Sequence, residues 1–200
     1  KYALYTIGFD SMNKKIFNAS SGLAYLNNSF DLINHLYGPI LNRSTYDTCF
    51  AASPFVLKIK KNYKMFYTAS SKYAEIKDNL KHHFYNIKMK VSKSESNFSG
   101  LPIDIINSKS KSEYAIARPA LINFKKKYYL FYCKRETIFK KDYAIFCRKG
   151  YDLEKFKGKE DFYISIKNLQ DPNFIECQCY PYLFQYKNYL FMLFNGKNYG

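Results

Sequence analysis

A proline followed thirteen residues later by an aromatic ring occurs three times in this chain, at Pro54 and Tyr67, Pro119 and Tyr132, and Pro181 and Phe194. Each proline leads an apolar run: Ser53-Pro54-Phe55-Val56-Leu57, Arg118-Pro119-Ala120-Leu121-Ile122 and Tyr180-Pro181-Tyr182-Leu183-Phe184. A lysine-bearing polar turn then leads into a second run that ends on the aromatic. A further copy of the second run opens the chain, where Tyr5-Thr6-Ile7 matches Tyr67-Thr68-Ala69, so the aromatic recurs at intervals of 62, 65 and 62 residues. Fixed spacing inside a period of about sixty residues is the signature of a repeat architecture, in which each copy is one supersecondary unit.

Two apolar runs joined by a short polar turn read as an antiparallel hairpin, with the proline expected at a strand start, where its missing N–H breaks no ladder. Each unit continues into another β-like run: Lys15-Ile16-Phe17-Asn18-Ala19-Ser20, Phe84-Tyr85-Asn86-Ile87-Lys88-Met89-Lys90-Val91 or Tyr143-Ala144-Ile145-Phe146-Cys147-Arg148. A turn and a last short run bring the count to four strands per repeat, which predicts an all-β fold, a β-propeller of four-stranded blades. Paired β-sandwiches also use short strands, but they do not normally repeat one internal interval three times. The expected blades lie at about 1–45, 46–107, 108–168 and 169–200 within one domain. The sequence opens and closes in the second strand of a unit, which predicts part of a larger ring.

Composition agrees. Hydrophobic residues make up 47% and aromatics 20%, with 21 Tyr, 18 Phe and no Trp, and flat rings pack well on pleated surfaces. The net charge of +16 raises the question of nucleic acid. Only Arg43, Arg118, Arg135 and Arg148 are arginines, the other 28 basic residues are lysines spread along the chain, and no basic recognition helix or stacking motif is present. The expectation is therefore no nucleic-acid partner, with the lysines mostly at hairpin tips and solvent-facing strand positions. Cys49, Cys133, Cys147, Cys177 and Cys179 form no paired framework or zinc spacing and read as reduced, buried thiols. His35, His82 and His83 show no metal-site spacing, so neither metal nor cofactor is expected. No run is apolar enough to span a membrane and no signal peptide is legible, giving a cytoplasmic expectation.

The proline-led strand followed by Y-x-M/L-F-Y, the Glu113-x4-Arg118-Pro119 segment, the Tyr180-Pro181 pair and the terminal Phe194-Asn195-Gly196-Lys197-Asn198-Tyr199-Gly200 carry a resemblance. They resemble the five-bladed propeller proteins related to glycoside hydrolase families 43 and 32, closest to an uncharacterised branch associated with surface-polysaccharide gene clusters. Relatives often carry S-x-D-G-x-x-W in the outer part of each blade. Here the matching stretches include Ser20-Ser21-Gly22-Leu23-Ala24-Tyr25 and Ser92-Lys93-Ser94-Glu95-Ser96-Asn97-Phe98, with Tyr or Phe in place of Trp. The resemblance implies a five-bladed propeller and a carbohydrate-active protein; a fold alone does not assign a reaction.

An acid precedes each repeated proline: Asp47 by seven residues, Glu113 by six and Glu176 by five. Residues at the beginnings of inner strands converge on one mouth of a propeller, so the three carboxylates are expected to meet there. Glycosidic cleavage needs a protonated acid at the leaving oxygen and an ionised carboxylate as base or nucleophile, and a third carboxylate raises the acid's pKa. Asp47 is the expected base or nucleophile, and Glu176 or Glu113 the general acid. The alternative is that these acids cap turns or pair with lysines.

Arg43, Arg118 and Arg135 stand out in a chain that otherwise uses lysine, since a guanidinium holds a carboxylate or phosphate bidentately. They are expected to bind an acidic sugar or a sugar phosphate. Tyr180 is expected to stack on a sugar face or to pack between blades, and Asn195 and Asn198 to hydrogen-bond sugar hydroxyls. The leading expectation is a glycoside hydrolase or related enzyme acting on a bacterial surface polysaccharide or its sugar precursor. The alternatives are a non-catalytic glycan-binding or assembly module and a protein-interaction propeller.

Overall fold

In the computed structural model every described element is a β-strand; it describes residues 1–13, 16–76, 80–108, 114–135, 143–156, 162–163 and 177–196, with side chains at all of these except 10–13, 16–17, 74–76, 80–82, 114 and 162–163. Strands β1 (Tyr2–Asn13), β2 (Ile16–Leu26) and β3 (Leu32–His35) form one antiparallel sheet in that order. Next come β4 (Phe50–Ile59), β5 (Asn62–Ser70), a separate hairpin of β6 (Tyr73–Ile76) with β7 (Leu80–His83), then β8 (Asn86–Ser92) and β9 (Ile103–Ile106). The sheet order β4-β5-β8-β9 gives one four-stranded blade. Strands β10 (Tyr114–Phe124), β11 (Lys127–Arg135), β12 (Ala144–Gly150) and β13 (Phe162–Tyr163) give a second, and β14 (Cys179–Tyr186) with β15 (Tyr189–Asn195) the start of another. The β6–β7 hairpin is an insertion that the repeat does not predict.

The thirteen-residue interval has a direct structural cause. Ala52 faces Thr68 and Phe55 faces Phe66, so Ser53 and Pro54 together oppose Tyr67. In the same way Arg118 and Pro119 oppose Tyr132, and Tyr180 and Pro181 oppose Phe194. Two residues against one is a β-bulge, and the proline costs no ladder bond there. The prolines therefore lie inside β4, β10 and β14, not at their starts as expected from sequence. The residue before each proline has a left-handed backbone, with φ of 56° at Ser53, 58° at Arg118 and 57° at Tyr180. A residue before proline ordinarily prefers extended backbone, and a non-glycine residue in this region costs about 1–3 kcal/mol.

The hairpin tips repeat as well. Lys60-Lys61, Lys125-Lys126 and Lys187-Asn188 are two-residue loops, and φ is positive at Lys60, Lys125, Lys126 and Lys187, as the turns that match strand twist require. From Met65 to Ser70 every residue of β5 is buried, as is every residue of β11 from Leu130 to Lys134. Strands covered on both faces read as continuous apolar runs, which is why the second run of each repeat shows no alternation.

By internal packing the chain divides into two compact units, Lys1–Phe84 with Lys88–Asp104, and Tyr85–Ile87 with Ile105–Gly200. In the first, Leu41, Ala51, Met65, Tyr67, Ala69 and Phe98 form a core cluster against which Tyr5, Ile40, Val56 and Tyr63 pack. In the second, Cys133, Cys177 and Cys179 cluster with Tyr143 and Tyr180. All five cysteines are free and buried.

Candidate functional site

Asp47 stands three residues ahead of β4, in a turn where its N–H donates to the carbonyl oxygen of Ser44 at 3.2 Å. Its side chain turns inward and the residue has 0% exposure. Oδ1 accepts from Lys88 Nζ at 2.6 Å and Oδ2 from the Tyr67 hydroxyl at 2.8 Å. Lys88 Nζ also donates to the Tyr46 carbonyl oxygen at 3.0 Å. Burial, then the Asp47 charge, pushes the Tyr67 hydroxyl far above the usual phenol range. The repeated aromatic thus anchors the acid upstream of its own strand, and neither carboxylate oxygen faces solvent. In this arrangement Asp47 is a buried counter-charge with no surface open to a sugar. Glu113 and Glu176 lie outside the described residues.

Lysines were expected mostly at hairpin tips and solvent-facing strand positions; Lys88 and Lys90 of β8 are instead buried, at 8% and 6% exposed. The signal that could have found them is their spacing in Ile87-Lys88-Met89-Lys90, two cations on one face of a strand that the repeat places inside a blade. Burial lowers the Lys90 pKa; Asp47 opposes the shift and Lys88 adds to it.

Arg43 lies in the same unit and is exposed. With Asn42 it lines an open cavity of about 260 Å³, whose other walls are Gly8, Phe9, Asn18, Ala19 and Ser20. One guanidinium, two amides, a hydroxyl and an aromatic ring supply charge, hydrogen-bonding groups and an apolar surface in one depression. The volume is a little below the roughly 300–1,000 Å³ typical of drug-sized ligands.

In the second unit the strained bulges bring two expected site residues together. The Arg118 guanidinium lies over the Tyr180 ring, 4.3 Å from its centroid, and the Arg135 guanidinium lies 4.4 Å from the centroid of Tyr143. One face of Tyr180 is therefore covered by Arg118, as in blade packing. Both arginines are held over aromatic faces, an arrangement that favours a cation in a fixed pose. The Tyr180 N–H donates to Cys133 Sγ at 3.1 Å. Burial pushes the Cys133 thiol well up, and burial followed by its neighbour Cys177 pushes Cys179 up to about 12, so both are protonated thiols at neutral pH. The carbonyl oxygen of Asn195 accepts from Cys179 Sγ at 3.9 Å. Asn198 lies outside the described residues.

Among the described residues no three His, Cys, Asp or Glu side chains are grouped to hold a metal ion, and no helix is long and apolar enough to cross a membrane.

No family model matches the sequence, and no curated protein does. Solved structures match over nearly the whole chain. The GH32 β-fructofuranosidase of Bombyx mori is 16% identical with a TM-score of 0.68, covering 98% of this chain and 40% of its own. A variant of that enzyme in complex with sucrose gives a TM-score of 0.70. The α-L-arabinofuranosidase of Lactobacillus brevis is 13% identical, with a TM-score of 0.67 over 98% of this chain and 62% of its own. The sucrose-6-phosphate hydrolase of Lactobacillus gasseri is 16% identical, with a TM-score of 0.68 over 96% of this chain and 37% of its own. At such identities the likeness concerns fold: this chain has the all-β propeller fold of the GH32 and GH43-type glycosidases. It spans between 37% and 62% of the length of those structures.

Proposed function

We propose that this chain is part of a carbohydrate-active propeller that engages an acidic sugar or a sugar phosphate. The observation that carries the reading is Arg43 in a polar cavity with Asn18, Asn42, Ser20 and the ring of Phe9. Carboxylate and phosphate oxygens suit a guanidinium, hydroxyls suit the amides, and an apolar sugar face suits the ring. In the second unit Arg118 and Arg135 are further candidates for anionic groups, with Tyr180, Asn195 and Asn198 as contacts. The fold shared with glycosidases supports a sugar as ligand, and a bacterial surface polysaccharide or its precursor is the substrate class proposed.

Hydrolysis would fall to Glu113 and Glu176, with Asp47, enclosed by Lys88 and Tyr67, as a fixed charge. The enclosure of Asp47 by Lys88 and Tyr67 favours a second reading, a glycan-binding module without catalysis. Calorimetric titration with a hexose phosphate, a uronic acid and the neutral hexose tests the binding claim. Preference for the anions, with a loss of about tenfold to a hundredfold in Arg43→Ala, is expected. Equal binding of all three sugars, or no effect of Arg43→Ala, would overturn it. Release of free sugar that vanishes in Glu176→Gln selects hydrolysis; binding without release selects the module.

A further inference from the structure

Lys90 occupies a position whose counterpart in the next blade is hydrogen-bonded twice through its side chain. Strands β8 and β12 have the same length and the same burial pattern, and matching them makes Lys90 the equivalent of Arg148. Arg148 Nε donates to the Tyr132 hydroxyl at 3.2 Å and Nη1 to the Phe156 carbonyl oxygen at 3.3 Å. The equivalent acceptors for Lys90 are the Tyr67 hydroxyl and the Phe98 carbonyl oxygen. The Tyr67 hydroxyl donates to Asp47, and Asp47 is paired with Lys88. The shorter lysine makes no hydrogen bond or ion pair among the described residues, although it is only 6% exposed. Two lysines thus share one carboxylate, and Lys88 holds it.

We propose that Lys90 is a reactive amine that condenses with small aldehydes, the open-chain forms of short sugars included. An ammonium that is desolvated beside another cation gives up its proton more readily, and a neutral amine is a nucleophile. The groups acting on it are Lys88, which favours the neutral form, and Asp47, which opposes it; Asp104 acts on the adjoining Tyr67. In the step, the amine lone pair attacks the carbonyl carbon. The carbonyl oxygen then leaves as water, taking both amine protons, as the C=N bond forms. Added cyanoborohydride supplies hydride to the imine carbon and solvent supplies the proton to nitrogen, which makes the adduct permanent.

The test uses the whole chain with glycolaldehyde and sodium cyanoborohydride at pH 7, read by peptide mass spectrometry. Lys90 is expected to be modified faster than the tip lysines Lys60, Lys125 and Lys187, because an amine desolvated beside a second cation holds a larger neutral fraction at pH 7. Lys90→Arg, which restores the residue type of the next blade, removes that adduct and leaves the tip adducts unchanged. Lys88→Arg keeps a cation at Asp47 and keeps the Lys90 adduct. Modification of the tips with Lys90 unmodified, or equal rates at all four lysines, would overturn the proposal.

Discussion

The ammonium of Lys88 sits 2.6 Å from a carboxylate oxygen of Asp47 that has no contact with solvent. A buried pair of this kind adds little net stability over an apolar pair of the same volume, yet losing one partner strands the other. Asp47→Asn leaves the Lys88 charge without a counter-ion and is expected to destabilise the fold by about 3–5 kcal/mol. Urea unfolding followed by tyrosine fluorescence measures it. The double variant Asp47→Leu with Lys88→Met should recover most of the loss, and a double variant as unstable as Asp47→Asn would show that the pair is not the cause.

Alkaline pH should weaken the protein through its buried phenols and thiols. Tyr5, Tyr67 and Tyr143 are raised far above the ordinary value of 10.0, first by burial. Tyr25 is pushed up to about 12, by burial and then by its hydrogen bond to Glu95 Oε1 at 2.8 Å. Cys179, at about 12 against 9.0, adds to the same trend. In each case the unfolded chain loses its proton first, so the contribution is complete below the unfolded value and disappears as pH rises towards the folded one. Unfolding free energy should fall steadily from about pH 9 to pH 12. Absorbance at 295 nm should show a set of tyrosines that ionises only on unfolding.

Lys90 acts in the opposite sense. Its folded pKa lies below the ordinary 10.5, so the unfolded chain binds the proton more readily and stability rises with pH between the folded value and 10.5. Lys90→Met should therefore raise stability at neutral pH and flatten that part of the profile. A neutral-pH loss in this variant would mean that the amine is held by attraction.

The left-handed tip residues offer a gain. Replacing Lys125-Lys126 by Asn-Gly, whose backbones tolerate positive φ, should stabilise the β10–β11 hairpin by about 1 kcal/mol. Ser53→Gly relaxes the bulge of β4 and should give a similar increment. Thermal unfolding midpoints report both, and a lower midpoint for either variant would count against the strain at these positions.

The hairpins were legible in the sequence because register turns a spatial opposition into a fixed spacing. Pro54 faces Tyr67 across a bulge, and the same two-against-one count at Pro119 and Pro181 preserves the interval. The β6–β7 hairpin was not legible, since Tyr73–Ile76 and Leu80–His83 pair with each other outside the repeat and leave no periodic trace. Arg43 could be singled out from sequence by its rarity among lysines. Its cavity could not, because Gly8, Phe9, Asn18, Ala19 and Ser20 reach it from two strands through the β1–β2 register.

By itself, then, the sequence determined an all-β repeat, the hairpin built on each repeated proline and the residue types offered at the candidate site. These depend on local spacing, which the chain carries in one dimension. Only the tertiary structure decided that Asp47 faces inward to Lys88 and Tyr67, that Arg118 lies over Tyr180, and that Lys90 is buried without the partners of Arg148. The direction of a polar side chain depends on which distant residues share its surroundings and on how much water they exclude, and no pattern along the chain encodes that.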